Sequence, residues 1–242
     1  QLKPENNKKY DLIVREDLNQ DHPQLIIWYK FNKDDFTSNF TSNNDNTDTE
    51  YRRLIIEGTG TISNLQKEYY VGTGSAEINN ELYYKIEMSA NQFTVEKCTF
   101  CFWLFLNEEC ENDRYILKLQ DIDGAIFYFK YTTDKLIIYK NATNYIEYDR
   151  SLDKNKWYHI TIIINDTASA LQKQETLLIN GISINSNLIG TISTVLRGGT
   201  TGTADIYLGY TTSSINGYID DFRIYTTNLS IEYIQNDIIG KI

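Results

Sequence analysis

The sequence contains few of the residues that support specialised chemistry or cross-linking. Its 242 residues include only 2 prolines, 3 cysteines, 2 histidines and 1 methionine. No uninterrupted apolar run reaches about 18 residues, the length that predicts a membrane-spanning helix, so we expect no membrane insertion. The 23 basic residues face 33 acidic ones, and the net charge of −10 argues against nucleic acid as a partner.

The cysteines are too few and too closely spaced for a disulfide framework. A secreted disulfide scaffold would carry more of them, spread along the chain. Cys98 and Cys101 have the spacing of half a zinc site, but no second pair follows. On a strand, two residues separated by three positions point to opposite faces. We therefore expect Cys98, Cys101 and Cys110 to be packed or free thiols.

The sequence is rich in tyrosine and in short segments typical of β-strands. The 19 tyrosines outnumber the 10 phenylalanines, and aromatic and β-branched residues favour strands. Strands are predicted at Gln24–Phe31, Arg53–Glu57, Leu82–Met88, Thr99–Leu106, Arg114–Gln120, Ala125–Tyr131, Leu136–Lys140, Tyr145–Tyr148, Lys156–Ile164, Thr176–Ile179, Ile182–Asn185, Asp205–Tyr210 and Tyr218–Tyr225. The Asn180-Gly181 pair is typical of a two-residue hairpin turn. Only Ser230–Ile239 has a helical period, with Asn228 or Ser230 as its cap.

This pattern predicts an all-β fold with at most one short C-terminal helix. Residues 1–23 are polar and without a sustained period, which indicates an N-terminal arm or linker. Residues 24–242 then form one domain, since all-β sandwiches of about 200–250 residues are common as single domains. The chain begins at Gln1 with neither an initiator methionine nor a signal peptide, so we expect it to be part of a larger polypeptide or assembly.

The strand motifs, taken in order, resemble the laminin-G-like, concanavalin A-like lectin/glucanase jelly-roll family. The segments that carry the resemblance are Ile27–Asn32 (IWYKFN), Gly72–Ile86, Lys156–Thr161 (KWYHIT) and Asn216–Ser230 (NGYIDDFRIYTTNLS). The last segment is similar to the family's final strand, which carries the pattern G-x-I-D-D-hydrophobic-R-hydrophobic-Y. The resemblance implies a two-sheet antiparallel β-sandwich in jelly-roll order, with the first and last strands adjacent.

The final strand also suggests a metal site. Strict alternation places Tyr218, Asp220, Phe222 and Ile224 on the core face, and Ile219, Asp221, Arg223 and Tyr225 on the other face. A carboxylate at the core must be hydrogen-bonded, paired or bound to a metal. Asp220 together with Asn32 and Asp34 predicts a Ca²⁺ site of oxygen ligands. The alternative is that Asp220 accepts backbone N–H bonds from an adjacent loop.

On the opposite face of the same strand, Asp221 and Arg223 lie two residues apart. This spacing predicts a surface ion pair that contributes less than about 1 kcal/mol.

No motif predicts catalysis. Glycoside hydrolases of this sandwich need two carboxylates at a defined separation, and Glu77–Glu81, Glu147–Asp149 and the Asp121/Asp123 turn do not supply a convincing pair. His159 lies in mid-strand, where a structural role is expected, and no nucleophile signature is present. We therefore expect no enzymatic activity and no catalytic residues. The alternative is a glycoside hydrolase or lyase with an unrecognised site.

What remains is surface recognition. Lectin-like sites combine an aromatic platform with Asn and Asp side chains that bind hydroxyls. The loops Ser42–Asp48 and Thr211–Asn216, with Tyr210 and Tyr218 nearby, are candidates that sequence does not rank. Tyrosine equally suits a protein interface. We expect a non-enzymatic recognition, adhesion or structural module that binds a glycan or a protein. Its expected location is extracellular or on a particle surface, with a virion as one possibility.

Overall fold

The computed structural model describes residues 25–31, 54–58, 70, 74–89, 97–120, 126–141, 144–165, 175–189 and 203–240. The predicted arm of residues 1–23, the predicted ligands Asn32 and Asp34 and the candidate loop Ser42–Asp48 lie outside these ranges. No helix in the described ranges is long and apolar enough to cross a membrane.

The regular secondary structure of the described residues is almost entirely β-strand, as predicted. The strands are β1 (Leu25–Tyr29), β2 (Leu54–Gly58), β3 (Ala76–Ile78), β4 (Leu82–Ser89), β5 (Lys97–Leu106), β6 (Arg114–Gln120), β7 (Ile126–Tyr131), β8 (Leu136–Asn141), β9 (Asn144–Tyr148), β10 (Trp157–Asn165), β11 (Thr176–Ile179), β12 (Ile182–Ser183), β13 (Ser186–Ile189), β14 (Thr203–Leu208) and β15 (Gly217–Tyr225). Two of them, β3 and β13, were not predicted, because strands of three or four residues carry too little pattern to be recognised.

The strands form two antiparallel sheets. The seven-stranded sheet has the order β1-β15-β5-β10-β11-β12, with β3 also paired to β15. The eight-stranded sheet has the order β13-β9-β8-β7-β6-β14-β4-β2. The pairing of β1 with β15 confirms that the first and last strands are adjacent. The Asn180-Gly181 hairpin is also confirmed, with φ angles of 51° and 75° at its two turn residues.

The core lies between the sheets and is built from alternate residues of each strand. Its largest fully buried side chains include Tyr29, Tyr84, Phe102, Phe129 and Phe222. A second apolar cluster lies on the outer face of the seven-stranded sheet, the face turned away from the other sheet. It contains Cys101, Ile163, Leu178, Tyr225, Leu229, Ile234 and Ile238.

The C-terminal helix covers that second cluster. An α-helical turn at Ile231–Tyr233 continues as a π-helix at Ile234–Ile239. The Ser230 side chain accepts a hydrogen bond from the Tyr233 N–H, as predicted for a cap. The helix is held to the β11–β12 hairpin by Gln235, whose side-chain amide donates to the Gly181 carbonyl at 2.8 Å.

A β-bulge in β15 changes the faces that strict alternation assigned. Ile219, Phe222 and Ile224 all point into the core between the sheets. Two residues, Asp220 and Asp221, are therefore accommodated between successive core positions, and Asp221 adopts a left-handed backbone with φ of 50°. The register with β5 shifts between Asp220 and Arg223. The prediction that Tyr218 and Asp220 share the core face with Phe222 was wrong, because an extra residue reverses the alternation.

Candidate functional site

Asp220 is fully buried on the outer face of the seven-stranded sheet, opposite Trp103 of β5. One carboxylate oxygen accepts the Asp221 N–H at 2.7 Å, and the other accepts the Tyr70 N–H at 2.9 Å. Backbone N–H groups, one of them from a distant segment of the chain, therefore satisfy both oxygens. This is the alternative to calcium that the sequence left open.

The calcium site itself stays a prediction. Two of its three proposed ligands, Asn32 and Asp34, lie outside the described residues. Among the residues that the structure describes, no three His, Cys, Asp or Glu side chains are grouped so that they could hold a metal ion.

Asp221 and Arg223 form an ion pair, but the predicted surface location was wrong. Their side chains are 2% and 7% exposed, and Arg223 Nη2 donates to Asp221 Oδ2 at 2.7 Å. The Trp28 indole N–H donates to Asp221 Oδ1 at 2.6 Å, and the guanidinium lies over the Trp28 ring. Burial arises because β1 packs beside β15 and brings Trp28 over the pair, which the sequence of β15 alone does not reveal.

His159, Cys98 and Cys101 are buried within the packing of the seven-stranded sheet. His159 is buried against Trp103, whose ring meets it edge-on at 5.1 Å. Burial lowers the pKa of His159 to about 3, so its ring is neutral at physiological pH. Cys98 and Cys101 belong to different apolar clusters on opposite faces of β5. Both are free thiols, as is Cys110, which confirms the prediction for all three.

The carboxylates that the sequence offered for catalysis lie in turns or ion pairs where the structure describes them. Glu77 Oε1 accepts a hydrogen bond from the Asn79 side-chain amide at 3.3 Å. Asn79 Oδ1 in turn accepts the N–H groups of Glu81 and Leu82 at 2.8 and 2.9 Å, so the Glu77–Glu81 segment is a turn. Glu147 accepts a hydrogen bond from Lys135, and Asp149 accepts one from Asn187. Asp121 and Asp123 lie outside the described residues.

The outer face of the eight-stranded sheet carries a different arrangement, which we call the tyrosine face. Its six half-buried rings are those of Tyr115, Tyr128, Tyr139, Tyr145, Tyr207 and Tyr210. Alternation explains their position, since the residues between them, such as Phe127 and Phe129, point into the core.

Cross-strand register aligns these residues into one row across five neighbouring strands. The pairs are Tyr207 with Lys118, Lys118 with Tyr128, Tyr128 with Tyr139, and Tyr139 with Tyr145. Neighbouring strands lie about 4.8 Å apart, so the row extends over roughly 19 Å. That length suits an extended ligand of several rings better than a single small molecule.

Tyr210 joins this row from the turn that follows β14. Gly209 has a φ of 73°, and a side chain there would lie 2.6 Å from Ile78, so the turn requires glycine. The Tyr210 N–H donates to Ser214 Oγ at 2.7 Å, which holds the turn in place. The Tyr210 ring then meets Tyr115 edge-on at 5.7 Å and Tyr207 at 5.4 Å. Of the two tyrosines suggested from sequence, only Tyr210 belongs to this face, since Tyr218 lies on the other sheet.

Two lysines lie among the rings. The Lys118 ammonium is 3.8 Å from the centre of the Tyr210 ring and also faces Tyr207 and Tyr128. It donates to Gln120 Oε1 at 2.9 Å. The Lys130 ammonium is 4.4 Å from the centre of the Tyr115 ring and pairs with Asp113 at 2.7 Å. Cation–π contacts of this kind hold the rings and the lysine chains in fixed positions.

The hydroxyls of Tyr128 and Tyr139 stay protonated at physiological pH. Burial raises the pKa of Tyr128, and the neighbouring Tyr115 and Tyr210 raise it further. Burial likewise raises the pKa of Tyr139. Each neutral phenol can both donate and accept a hydrogen bond. The face therefore offers apolar ring surface together with hydroxyls of either hydrogen-bonding sense.

Sequence reasoning placed Tyr128 and Tyr207 in strands but did not bring the tyrosines together. The available signal was local: in β7, Tyr128 and Lys130 alternate with Phe127 and Phe129. The decisive information is the register of five strands, which no single segment contains.

Comparisons with known proteins agree with the fold. A laminin G-type profile, described as the concanavalin A-like lectin/glucanases superfamily, matches residues 79–235. A search of curated proteins finds no significant sequence match.

One similar solved structure is domain 4 of AbnA in complex with arabinotriose. AbnA is an extracellular arabinanase from Geobacillus stearothermophilus, and the domain is 15% identical to this chain with a TM-score of 0.64. The alignment covers 88% of this chain and 97% of that domain. The binding domain of botulinum neurotoxin DC, in complex with rat synaptotagmin II, is 15% identical with a TM-score of 0.60, and 90% of this chain aligns with 52% of it. A botulinum neurotoxin type C structure, whose cell entry depends on two ganglioside molecules, is 13% identical with a TM-score of 0.59, covering 96% and 53% of the two chains.

At these identities the solved structures show a shared fold alone, and this chain spans about half of each neurotoxin structure. The profile match, in contrast, extends over more than half of the chain. The matched residues include strands β4 to β15, which make up most of the two antiparallel sheets. The protein is therefore a member of the concanavalin A-like lectin/glucanases superfamily.

Proposed function

We propose that this domain is a non-enzymatic recognition module that binds an oligosaccharide across the tyrosine face. The observation that carries the proposal is the row Tyr207, Tyr128, Tyr139 and Tyr145, aligned by register across the eight-stranded sheet. Aromatic rings stack on the apolar faces of sugars, and protonated phenols bind sugar hydroxyls. A row of roughly 19 Å accommodates several sugar units in line.

The side chains around the rings support a binding role over a catalytic one. The carboxylates of Glu147, Asp205 and Asp113 lie near the row, and they pair with Lys135, Lys85 and Lys130 at 2.5, 3.2 and 2.7 Å. A hydrolase of this type needs one carboxylic acid and one carboxylate facing each other across the bond to be cleaved. Carboxylates neutralised by lysine suit the positioning of polar groups better than general acid catalysis.

Relatives in fold are consistent with a carbohydrate or protein partner. The arabinanase domain is in complex with arabinotriose, and the neurotoxin structures concern synaptotagmin and gangliosides. We further propose that the module acts outside a cell or on the surface of a particle, such as a virion.

The test is a glycan array followed by calorimetry on the wild type and on Tyr128→Ala/Tyr139→Ala. We expect one class of oligosaccharide to bind, and the affinity to fall about tenfold for each ring removed. Tyr70→Ala is the matched control, because Tyr70 is an exposed tyrosine associated with the other sheet, where it stacks on Trp103. It should bind like the wild type.

Three results would overturn the proposal. Binding that survives loss of Tyr128 and Tyr139 would exclude the tyrosine face as the site. Release of reducing ends from a polysaccharide panel, in a preparation freed of contaminating enzymes, would overturn the non-enzymatic assignment. Failure of every saccharide, together with loss of binding to a cell-surface protein in the same variant, would assign the face to a protein partner instead.

A further inference from the structure

The lysines of the tyrosine face differ in how their charges are compensated. Lys85 pairs with Asp205 at 3.2 Å, and Lys130 pairs with Asp113 at 2.7 Å. Lys118, the central lysine of the row, is only 3% exposed, and its polar partner is the neutral amide oxygen of Gln120. Among the described residues, no carboxylate lies within ion-pair distance of its ammonium.

Burying the ammonium group of Lys118 without an acidic partner is energetically unfavourable, because the group loses its hydration. A desolvated ammonium ordinarily has an acidic partner, and rings and an amide offset only part of its lost hydration. The positive charge of Lys118 also contrasts with the net charge of the whole chain, which is −10. The centre of the tyrosine face is thus a positive spot on an acidic protein.

We propose that this site prefers glycans that carry a carboxylate, as uronic and sialic acids do, and that Lys118 determines the preference. The inference rests on the proposed function, since it names the ligand class for the same face. The carboxylate of a sugar stacked on the solvent side of Tyr210 would balance the Lys118 charge, for which the described residues provide no carboxylate.

The geometry sets the size of the effect. The ammonium is 3.8 Å from the Tyr210 ring centre, and a sugar on the far side of the ring adds another 4 Å or so. Two unit charges about 8 Å apart, at effective dielectric constants between roughly 20 and 80, give a preference of about twofold to thirtyfold. The preference should shrink as salt is added, because screening weakens it.

The experiment compares matched ligands by calorimetry at low and physiological salt. The first pair is trigalacturonic acid and its methyl ester, which differ in charge while keeping the same rings. The second pair is sialyllactose and its methyl ester, which tests the sialic-acid source of the same carboxylate. We expect the charged member of at least one pair to bind more than twofold tighter to the wild type.

Three variants assign the preference to Lys118. Lys118→Gln should bind both members of the pair alike, while Lys118→Arg, which keeps the charge, should retain the preference. Lys156→Gln is the matched control for net charge, because Lys156 is an exposed residue next to β10 of the other sheet. It should leave the preference unchanged.

The outcomes separate this inference from the proposed function. Equal affinity for the acid and its methyl ester in both pairs in the wild type, or a preference that persists in Lys118→Gln, would overturn the role of Lys118 while sugar binding stands. If no saccharide of either charge binds, the proposed function itself fails. The methyl-ester comparison needs no variant, so it decides the question even if Lys118→Gln does not fold.

Discussion

The buried ion pair between Asp221 and Arg223 gives the sharpest prediction about stability. Replacing Arg223 with methionine keeps most of the side-chain volume but leaves the Asp221 carboxylate buried, with the Trp28 indole N–H as its remaining side-chain donor. Removing one partner of such a pair costs about 3–5 kcal/mol, since the other charge stays desolvated. For a domain of this size, that loss lowers the melting temperature by roughly 6–20 °C.

The matched control is an ion pair of similar length in water. Lys156 and Asp153 lie 2.8 Å apart, and their side chains are 63% and 65% exposed. Solvent screens this pair, so Lys156→Met should leave the melting temperature almost unchanged. Urea unfolding and calorimetric melting of both single variants measure the difference directly.

The double variant Asp221→Asn/Arg223→Met completes the argument. Once both charges are gone, the buried site needs no ionic partner, so the double variant should be more stable than Arg223→Met alone. The reasoning is refuted if Arg223→Met melts within about 2 °C of the wild type, which would place the pair among surface ion pairs of little consequence.

Three further predictions address the same sheet. Burial lowers the pKa of His159 from its ordinary 6.5 to about 3. The stability that the neutral ring contributes is therefore complete above pH 6.5 and is lost as the pH falls towards 3. Between pH 7 and pH 4, the free energy of unfolding of the wild type should fall by up to about 3 kcal/mol through this group. Urea unfolding of His159→Gln should show a smaller difference between the two pH values, and an unchanged difference would contradict the assignment. A Cβ at Gly217 would lie 2.0 Å from the Phe105 carbonyl oxygen, so Gly217→Ala should separate β15 from β5 at a cost of about 3 kcal/mol, whereas Thr212→Ala, at an exposed position, should melt like the wild type. Because both Asp220 oxygens accept backbone N–H groups, we expect the same melting temperature in millimolar calcium and in chelator. A higher melting temperature in calcium would instead support the predicted calcium site, since a ligand bound only by the native state stabilises that state.

Most of the fold was predictable because strand patterning is local. Thr176–Ile179 and Arg114–Gln120 were predicted with their observed ends, since turn residues bound each of them. The adjacency of β1 and β15 came from the family resemblance, whose final motif lies in Asn216–Ser230. The bulge at Asp220 and Asp221 was missed, because both conformations of the strand present the same residues in the same order.

The candidate site was less predictable than the fold, because it depends on strand register and not on local patterning. Tyr210 was singled out because a polar turn follows it, whereas Tyr139 and Tyr145 were never associated with it. Their alignment depends on the register of strands far apart in sequence, such as β6 and β14. Register in turn is set by which residues the sandwich buries, a property of the whole domain.

Local patterns in the sequence were enough to predict the class of fold, most of its strands and the helix that closes the chain, since hydrophobic period, turn residues and caps act over a few neighbouring residues. Which polar groups are buried, and which rings share a surface, depends on how the strands pack in the folded domain. Asp221 and Arg223 became a buried pair because Trp28 arrives from the other end of the chain. The tyrosines became one face because five strands pair in register, and Lys118 became a charge without a carboxylate partner among the described residues because that face surrounds it with rings.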